Sequence, residues 1–199
     1  MSSPLLFVIT GVSGGGKSTL ISHIIKKYGF SFSISHTTRK PREGEIDGKD
    51  YHFIDENKFK EMIEKEHFIE WAKVYGNLYG TSKGEIKKLF DKGKNIILDL
   101  DIQGANNIKK IYPDSIAIFI LTKNISVLKE RLLKRGEKDL ETRIMKIKQT
   151  LKEIDNYDYL LINDEIKTSY IKIDSIVEAE SMKIKNLDLN KIIDSFWEK

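Results

Sequence analysis

The chain has no cysteine, only three prolines among 199 residues, and no long apolar run. A disulfide framework is therefore excluded, which is typical of proteins in a reducing compartment. No apolar stretch approaches the roughly 20 residues that a membrane-spanning helix needs. Residues 1–4 also lack the basic start of a signal peptide. From these absences we expect a cytoplasmic protein without a membrane partner.

An excess of charge of one sign is missing as well. The 34 lysines and arginines stand against 30 aspartates and glutamates, which leaves a net charge of only +4. Because these charges are interspersed, they indicate a solvated surface and disfavour a nucleic-acid partner. With 40% hydrophobic residues the chain can bury a core, and one domain over residues 1–199 is the simplest expectation. Assembly into a homo-oligomer stays open.

The most specific motif that is present lies near the N-terminus. Residues 11–18, GVSGGGKS, match the P-loop pattern G-x-x-x-x-G-K-[ST] at every fixed position. In such a loop backbone N–H groups surround the phosphates, Lys17 reaches the β- and γ-phosphates, and the Ser18 hydroxyl ligates Mg²⁺. An apolar run at residues 5–9 and helical spacing from Leu20 supply the required strand and helix. The motif predicts a nucleoside triphosphate site, and an empty glycine-rich turn or a dinucleotide fingerprint fits it less well.

Apolar runs and amphipathic segments alternate along the rest of the chain. This alternation predicts an α/β fold with a largely parallel sheet flanked by helices. Buried strands are expected at residues 95–100, 115–121 and 159–162. Helices are expected at about 103–110, 125–135, 143–155 and 165–182. A short C-terminal helix at about 189–196 is expected to serve packing only.

The segment from Ser35 to about Lys92 breaks this alternation. Short strands are expected at residues 51–54, 68–74 and 78–79, with a turn at residues 76–77. One helix is expected to open near Asp55, and Ser82 followed by Glu85 has the spacing of a capping box for another. We interpret the segment as an inserted, partly antiparallel lobe on the core sheet.

The inserted segment also carries a candidate second binding site. Arg39 and Arg42 flank Pro41, which stiffens the backbone between them. Two guanidinium groups on a constrained loop suit a phosphate monoester, since each donates two hydrogen bonds in a fixed fork. Tyr51 and Tyr79 are further candidate donors. For an isolated arginine pair, solvated surface residues would be the alternative interpretation.

Together these motifs resemble the guanylate kinase family. The resemblance rests on S-x-T-T-R-x-P-R-x-G-E-x-x-G-x-D-Y-x-F, the P-loop, F-I-E-W, Y-G-T and L-D-x-D-x-Q-G, and it extends from Leu5 to Asp164. It implies a core at about residues 1–34, 94–134 and 144–199, a GMP-binding lobe at 35–93 and a lid at 135–143. The implied reaction is ATP + GMP giving ADP + GDP, with Mg²⁺ and with dGMP as a further acceptor, in purine nucleotide metabolism.

The resemblance also assigns site residues. GMP is expected to contact Ser35, Arg39, Arg42, Tyr51, Glu70, Tyr79, Thr81 and Asp101. ATP is expected to contact Gly11, Val12, Ser13, Gly14, Gly15, Gly16, Lys17, Ser18, Thr19 and Arg131. The expected catalytic residues are Lys17, Arg39, Arg135 and Arg143, and the expected metal ligands are Ser18 and Asp99. Chemistry supports the role of Glu70, because one carboxylate accepts both the N1–H and N2–H donors of guanine.

Several alternatives remain at this point. Asp99 or Asp101 would instead cap the helix that begins near Gln103, and Arg131 and Arg135 would lie on a solvated, lysine-rich helix. The lid segment, GEKDLET between Arg135 and Arg143, is shorter than is usual in the family. Rival functions are an inactive module that binds phosphorylated peptides and a kinase for another small acceptor. Intact Lys17 and Ser18 argue against the module.

Overall fold

The computed structural model describes residues 4–74, 76–134 and 140–197, apart from the side chains of Thr142, Arg143 and Lys146. Nine strands and eight α-helices lie within this part of the chain. The strands are β1 (Leu6–Gly11), β2 (Ser31–Phe32), β3 (His36–Thr37), β4 (His52–Phe53), β5 (Phe68–Val74), β6 (Asn77–Ser82), β7 (Ile96–Asp99), β8 (Ile116–Leu121) and β9 (Tyr159–Ile162). The helices are α1 (Lys17–Tyr28), α2 (Glu56–Glu64), α3 (Lys83–Asp91), α4 (Ile102–Ile111), α5 (Ile125–Lys134), α6 (Leu140–Thr150), α7 (Ile166–Ser181) and α8 (Leu189–Trp197).

The core is a five-stranded sheet with the order β2-β7-β1-β8-β9. Every pair of neighbouring strands in it is parallel. Strands β1, β7 and β8 are almost entirely apolar, as is expected of strands whose two faces are both covered by helices. The predicted α/β class and its parallel core are therefore confirmed.

Alternate residues of β1 pack against different helices. Phe7 and Ile9 join a cluster with Leu20 and Ile24 of α1, and with side chains of α7. Leu6 and Val8 point to the other face, where α3 and α4 pack. This arrangement places the carboxyl ends of the parallel strands along one edge, where α/β proteins bind ligands.

The inserted segment forms a second sheet with the order β4-β3-β6-β5. Its β3–β6 and β5–β6 pairs are antiparallel and its β3–β4 pair is parallel, so a partly antiparallel lobe was correctly predicted. The strands β2 and β3, which have two residues each, were not predicted. The sequence analysis predicted Asn77 in the turn, but Asn77 is the first residue of β6. Gly76, with a φ angle of 85°, lies between the two strands.

The predicted caps in this segment form with one difference. Asp55 accepts the backbone N–H of Lys58 at 2.8 Å and starts α2. Ser82 accepts the N–H of Glu85 at 3.4 Å and starts α3. The carboxylate of Glu85, however, accepts the N–H of Ile34 at 2.9 Å. This hydrogen bond therefore connects α3 to the segment immediately before Ser35.

Helix α8 forms close to its predicted position, but its apolar side chains are exposed rather than packed. Phe196 and Trp197 are 76% and 77% exposed, and no residue of α8 is buried. The expectation that this helix serves packing is therefore wrong for the part of the chain described. No described helix combines the length and apolar character required to cross a membrane.

Candidate functional site

One cleft of about 990 Å³ lies between the carboxyl edge of the core sheet and the second sheet. Its volume is at the upper end of the usual range for small-molecule sites. The P-loop lines one side, and the predicted phosphate-binding arginines and tyrosines line the other. The fold therefore brings the two candidate sites, which are distant in sequence, to a single cavity.

The P-loop has the backbone that its glycines allow. Gly14 and Gly16 adopt φ angles of 83° and 92°, in the region that glycine favours. A β-carbon on Gly11 would lie 2.1 Å from the carbonyl oxygen of Ile120 on β8. Gly16 is the N-cap of α1 and has no side chain that could accept the first N–H groups of the helix. A phosphate is the natural partner for such N–H groups at the positive end of the helix dipole.

Two side chains from other elements hold this loop. The buried Asn163, which follows β9, donates its Nδ2–H to the carbonyl of Gly15 at 2.7 Å. Arg131 on α5 donates to the carbonyl of Gly14 at 3.4 Å. Because a trans peptide directs its carbonyl and its N–H to opposite sides, the Asn163 contact turns the N–H of Gly16 away from Asn163.

Lys17 lies beside the carboxylate that ends strand β7. Its Nζ is 3.4 Å from the carbonyl oxygen of Gly11 and 3.8 Å from Oδ1 of Asp99. Burial raises the pKa of Asp99, and the charge of Lys17 opposes that rise. Ser18, in the first turn of α1, lines the same cleft. The set provides a cation for phosphates and two oxygen donors of the type that Mg²⁺ prefers.

The opposite wall is organised by a glutamate that the sequence analysis did not single out. Glu45 accepts from Nη2 of Arg39 at 2.8 Å and from the backbone N–H of Arg42 at 2.7 Å. These hydrogen bonds hold the pKa of Glu45 below its usual value, although burial acts in the other direction. Nη1 of Arg39 donates to the carbonyl of Lys40 at 2.7 Å. The Arg39 guanidinium is therefore fixed in orientation.

Two tyrosines extend this wall. The rings of Tyr51 and Tyr79 meet edge to face at 5.9 Å, and the guanidinium of Arg39 lies 5.3 Å from the Tyr51 ring centre. Burial raises the pKa of Tyr51, and the charge of Asp99 adds to that effect. Tyr51 therefore stays a protonated donor, which suits recognition of an anion.

Glu70 is buried, 6% exposed, at the inner end of the cleft. A bulge between Phe68 and Glu70 shifts the register of β5, so that Glu70 faces Thr81 across the strand pair. The Thr81 hydroxyl donates to Oε1 of Glu70 at 2.5 Å. Burial raises the pKa of Glu70 to about 7; the Thr81 hydrogen bond opposes this, and the negative charge of Asp101 adds to it.

Asp101 both caps a helix and faces the cleft. Its Oδ1 accepts the N–H of Gly104 at 2.8 Å at the start of α4, so the capping alternative is correct for this residue. Asp101 also lines the cleft, as does Ser35. Burial raises the pKa of Asp101, whereas the Gly104 hydrogen bond and the charge of Lys17 lower it.

The structure brings most of the predicted site residues to the cleft and places a few behind it. Residues that line the cleft are Gly11, Val12, Ser13, Gly14, Gly15, Gly16, Lys17, Ser18, Ser35, Arg39, Arg42, Tyr51, Glu70, Tyr79, Asp99 and Asp101. Thr81 lies behind Glu70, fully buried, and Thr19 is exposed on α1. Arg135 and the side chain of Arg143 lie outside the described residues, as does most of the predicted lid.

Sequence reasoning missed the contacts of three residues, which are Glu45, Asn163 and Gly104. Glu45 stands in the same R-x-G-E stretch as Arg42, and its spacing from that residue was the available signal. Asn163 carried no signal of this kind, because its partner Gly15 is 148 residues away. Gly104 stands in the L-D-x-D-x-Q-G motif, but its neighbour Glu70 lies on the second sheet, so the motif did not indicate this contact.

A strand, a glycine-rich loop and a helix in P-loop order, facing two arginines across one cleft, define the class of P-loop nucleotide-binding proteins. A model of the guanylate kinase family matches residues 3–180. The chain belongs to the guanylate kinase family.

Individual guanylate kinases are similar to this chain over nearly its whole length. It is 43% identical over 190 residues to a guanylate kinase of Clostridium tetani, covering 94% of this chain and 91% of that protein. It is 40% identical over 198 residues to one of Carboxydothermus hydrogenoformans, covering 98% and 97%. The crystal structure of guanylate kinase from Anaplasma phagocytophilum superposes with a TM-score of 0.79 at 27% identity, covering 98% of this chain and 96% of that one.

Proposed function

We propose that this chain transfers the γ-phosphoryl group of ATP directly to the phosphate of GMP or dGMP, giving ADP and GDP or dGDP. The observation that carries the proposal is the single cleft in which the P-loop faces Arg39, Arg42 and the buried Glu70. A phosphate donor site and a site for a phosphorylated base thus open onto the same space. Family membership supports the same reaction.

Glu70 is proposed to select guanine. Ionised Glu70 accepts the N1–H and N2–H of guanine as a pair, while Thr81 fixes its Oε1 from behind. Adenine presents an unprotonated N1 at that place, and the carboxylate repels it. Because the site is buried, a base that leaves the carboxylate unpaired is strongly disfavoured.

Catalysis is proposed to rest on alignment and charge cancellation. The acceptor is already an anionic oxygen, so no covalent enzyme intermediate is needed. Lys17 on one wall and Arg39 with Arg42 on the other offset the repulsion between the two nucleotides. From the family resemblance, Arg135 and Arg143 are proposed to add positive charge at the transferring group, with Arg131 close to the P-loop.

Mg²⁺ is the proposed cofactor, and the residues present fit it. The Ser18 hydroxyl and the Asp99 carboxylate line the cleft beside the P-loop and would hold the ion together with oxygen atoms of the ATP phosphates. The ion would neutralise charge on those phosphates. Among the described residues there is no cluster of three or more histidines or carboxylates able to hold a metal ion. Mg²⁺ commonly uses one or two carboxylates together with substrate phosphates.

The chain is proposed to act as one catalytic domain with three working parts. These are the core (about 1–34, 94–134 and 144–199), the GMP-binding lobe (35–93) and the lid (135–143). Closure of the lobe and lid would exclude water, which otherwise competes as acceptor.

The test is an acceptor panel. ADP formation is measured with ATP, Mg²⁺ and each of GMP, dGMP, AMP, CMP and UMP. GMP and dGMP are expected to be the efficient acceptors, with AMP at least 10³-fold lower in kcat/KM because Glu70 rejects it. Equal rates with all five, or a preference for AMP or a pyrimidine nucleotide, would refute the assignment.

A further inference from the structure

Gly104 is the third residue of α4, where glycine is an unfavourable choice. Inside a helix glycine costs about 1 kcal/mol relative to alanine. Its backbone N–H makes the helix-capping hydrogen bond to Asp101, which any residue other than proline would also make. Helix formation therefore does not explain a glycine at this position. The explanation lies in the side chains that surround Gly104.

The missing β-carbon is the relevant feature. A β-carbon on Gly104 would lie 2.8 Å from Oε2 of Glu70 and 3.3 Å from its Cδ. It would lie 3.3 Å from Oδ1 of Asp101. The first distance is far below the ordinary contact of carbon and oxygen, so the Glu70 carboxylate would have to move.

Glu70 has little freedom to move without losing its position. Its Oε1 is held by Thr81 from behind, and the residue is buried. The open direction is the cleft, which Glu70 lines. A β-carbon at position 104 would therefore displace the carboxylate from the position that Thr81 fixes, and the direction open to it is the cleft, where the base is proposed to bind.

We propose that Gly104 is a positioning residue for base selection: its lack of a side chain seats the Glu70 carboxylate against the start of α4, at the depth at which it reads guanine. Glu70 is thus held between Thr81 on one side and the Gly104 backbone on the other. The inference rests on the proposed phosphorylation of GMP and adds a residue that does not touch the substrate.

Gly104→Ala tests this, with Gly84→Ala as the matched control. Gly84 is also in the first turn of a helix, but a β-carbon there would meet only the Oγ of Ser82 at 3.8 Å. The readout is the GMP-to-AMP ratio of kcat/KM, which does not depend on the fraction of folded enzyme. A displacement of a substrate-positioning group by about 1 Å can lower the efficiency of an enzyme by up to about 100-fold. We therefore expect Gly104→Ala to lower the GMP-to-AMP ratio tenfold or more, through a higher KM for GMP. Gly84→Ala should leave the ratio unchanged.

A double-mutant cycle identifies the partner. In a Glu70→Ala background, Gly104→Ala should cause no further change in the ratio, because the carboxylate that the β-carbon displaces is gone. If Gly104→Ala does not fold while Glu70→Ala/Gly104→Ala does, the clash with Glu70 is likewise supported. The inference is overturned if Gly104→Ala keeps the wild-type ratio, if its effect persists without Glu70, or if the double variant also fails to fold. A wild-type chain that does not phosphorylate GMP would instead refute the proposed function.

Discussion

The proposed role of Glu70 makes base selection depend on pH in a way that can be calculated. Its pKa is raised to about 7 by burial, and the proposed pairing with guanine needs the ionised form. With that pKa about half of the free enzyme carries ionised Glu70 at pH 7, about a tenth at pH 6 and about a hundredth at pH 5. The kcat/KM for GMP relative to AMP should therefore fall about fivefold from pH 7 to pH 6 and about fiftyfold to pH 5.

The assay is steady-state kinetics with both acceptors across pH 5 to 9. The phosphate groups of GMP and AMP titrate alike near pH 6, so their ionisation cancels in the ratio. Glu70→Gln is the control, since it has no ionisable group at this position and should give a flat, low ratio. A wild-type ratio that is constant from pH 5 to pH 8 would contradict base selection by a Glu70 whose pKa is about 7.

The same group affects the stability of the free protein with a defined sign. The pKa of Glu70 is higher in the folded chain, about 7, than its ordinary value of 4.5. Protonated Glu70 therefore makes its full contribution to the free energy of unfolding below pH 4.5. That contribution is lost as the pH rises through 7, and the loss is at most about 3 kcal/mol. Urea unfolding at pH 5 and pH 8 should show a clearly larger gain in stability of Glu70→Gln over the wild type at pH 8 than at pH 5. A gain of equal size at both values would contradict this linkage.

Three further substitutions separate the parts of the site. Lys17→Ala should lower kcat by about 10² or more, because one preorganised donor is typically worth about 3 kcal/mol; a folded variant with near wild-type kcat would refute the assignment. Asn163→Ala leaves the Gly15 carbonyl without its partner and should raise the KM for ATP about tenfold without changing that for GMP; equal effects on both would point to general unfolding. Arg143→Ala, predicted from the family resemblance, should reduce kcat far more than it raises the KM for GMP, and a pure KM effect would contradict a role in the closed state.

The fold and the nucleotide site could be predicted because local patterns carry them. The P-loop spacing predicts a backbone conformation. The apolar runs, together with the alternation of strands and helices, predict a parallel sheet. The caps at Asp55 and Ser82 are equally local, since each involves residues three positions apart.

What sequence reasoning missed depends on tertiary contacts. Glu70 was assigned only through the family resemblance: judged by its neighbours Ile69 and Trp71 it would be an exposed strand residue, whereas it lies on the buried face of β5 with Phe68, and Trp71 is 42% exposed. The close approach of Gly104 to Glu70 arises only because α4 packs against β5. The exposure of α8 depends on the absence of a packing partner among the described residues, which its amphipathic pattern cannot reveal.

The most direct test of the account is the balance of products with and without GMP. ATP and Mg²⁺ are incubated with the enzyme alone and with GMP, and ADP, GDP and inorganic phosphate are quantified over time. Direct transfer predicts one GDP for each ADP when GMP is present, and only slow release of ADP and phosphate when it is absent. Formation of ADP and phosphate without matching GDP, or equally fast ATP consumption without GMP, would contradict it.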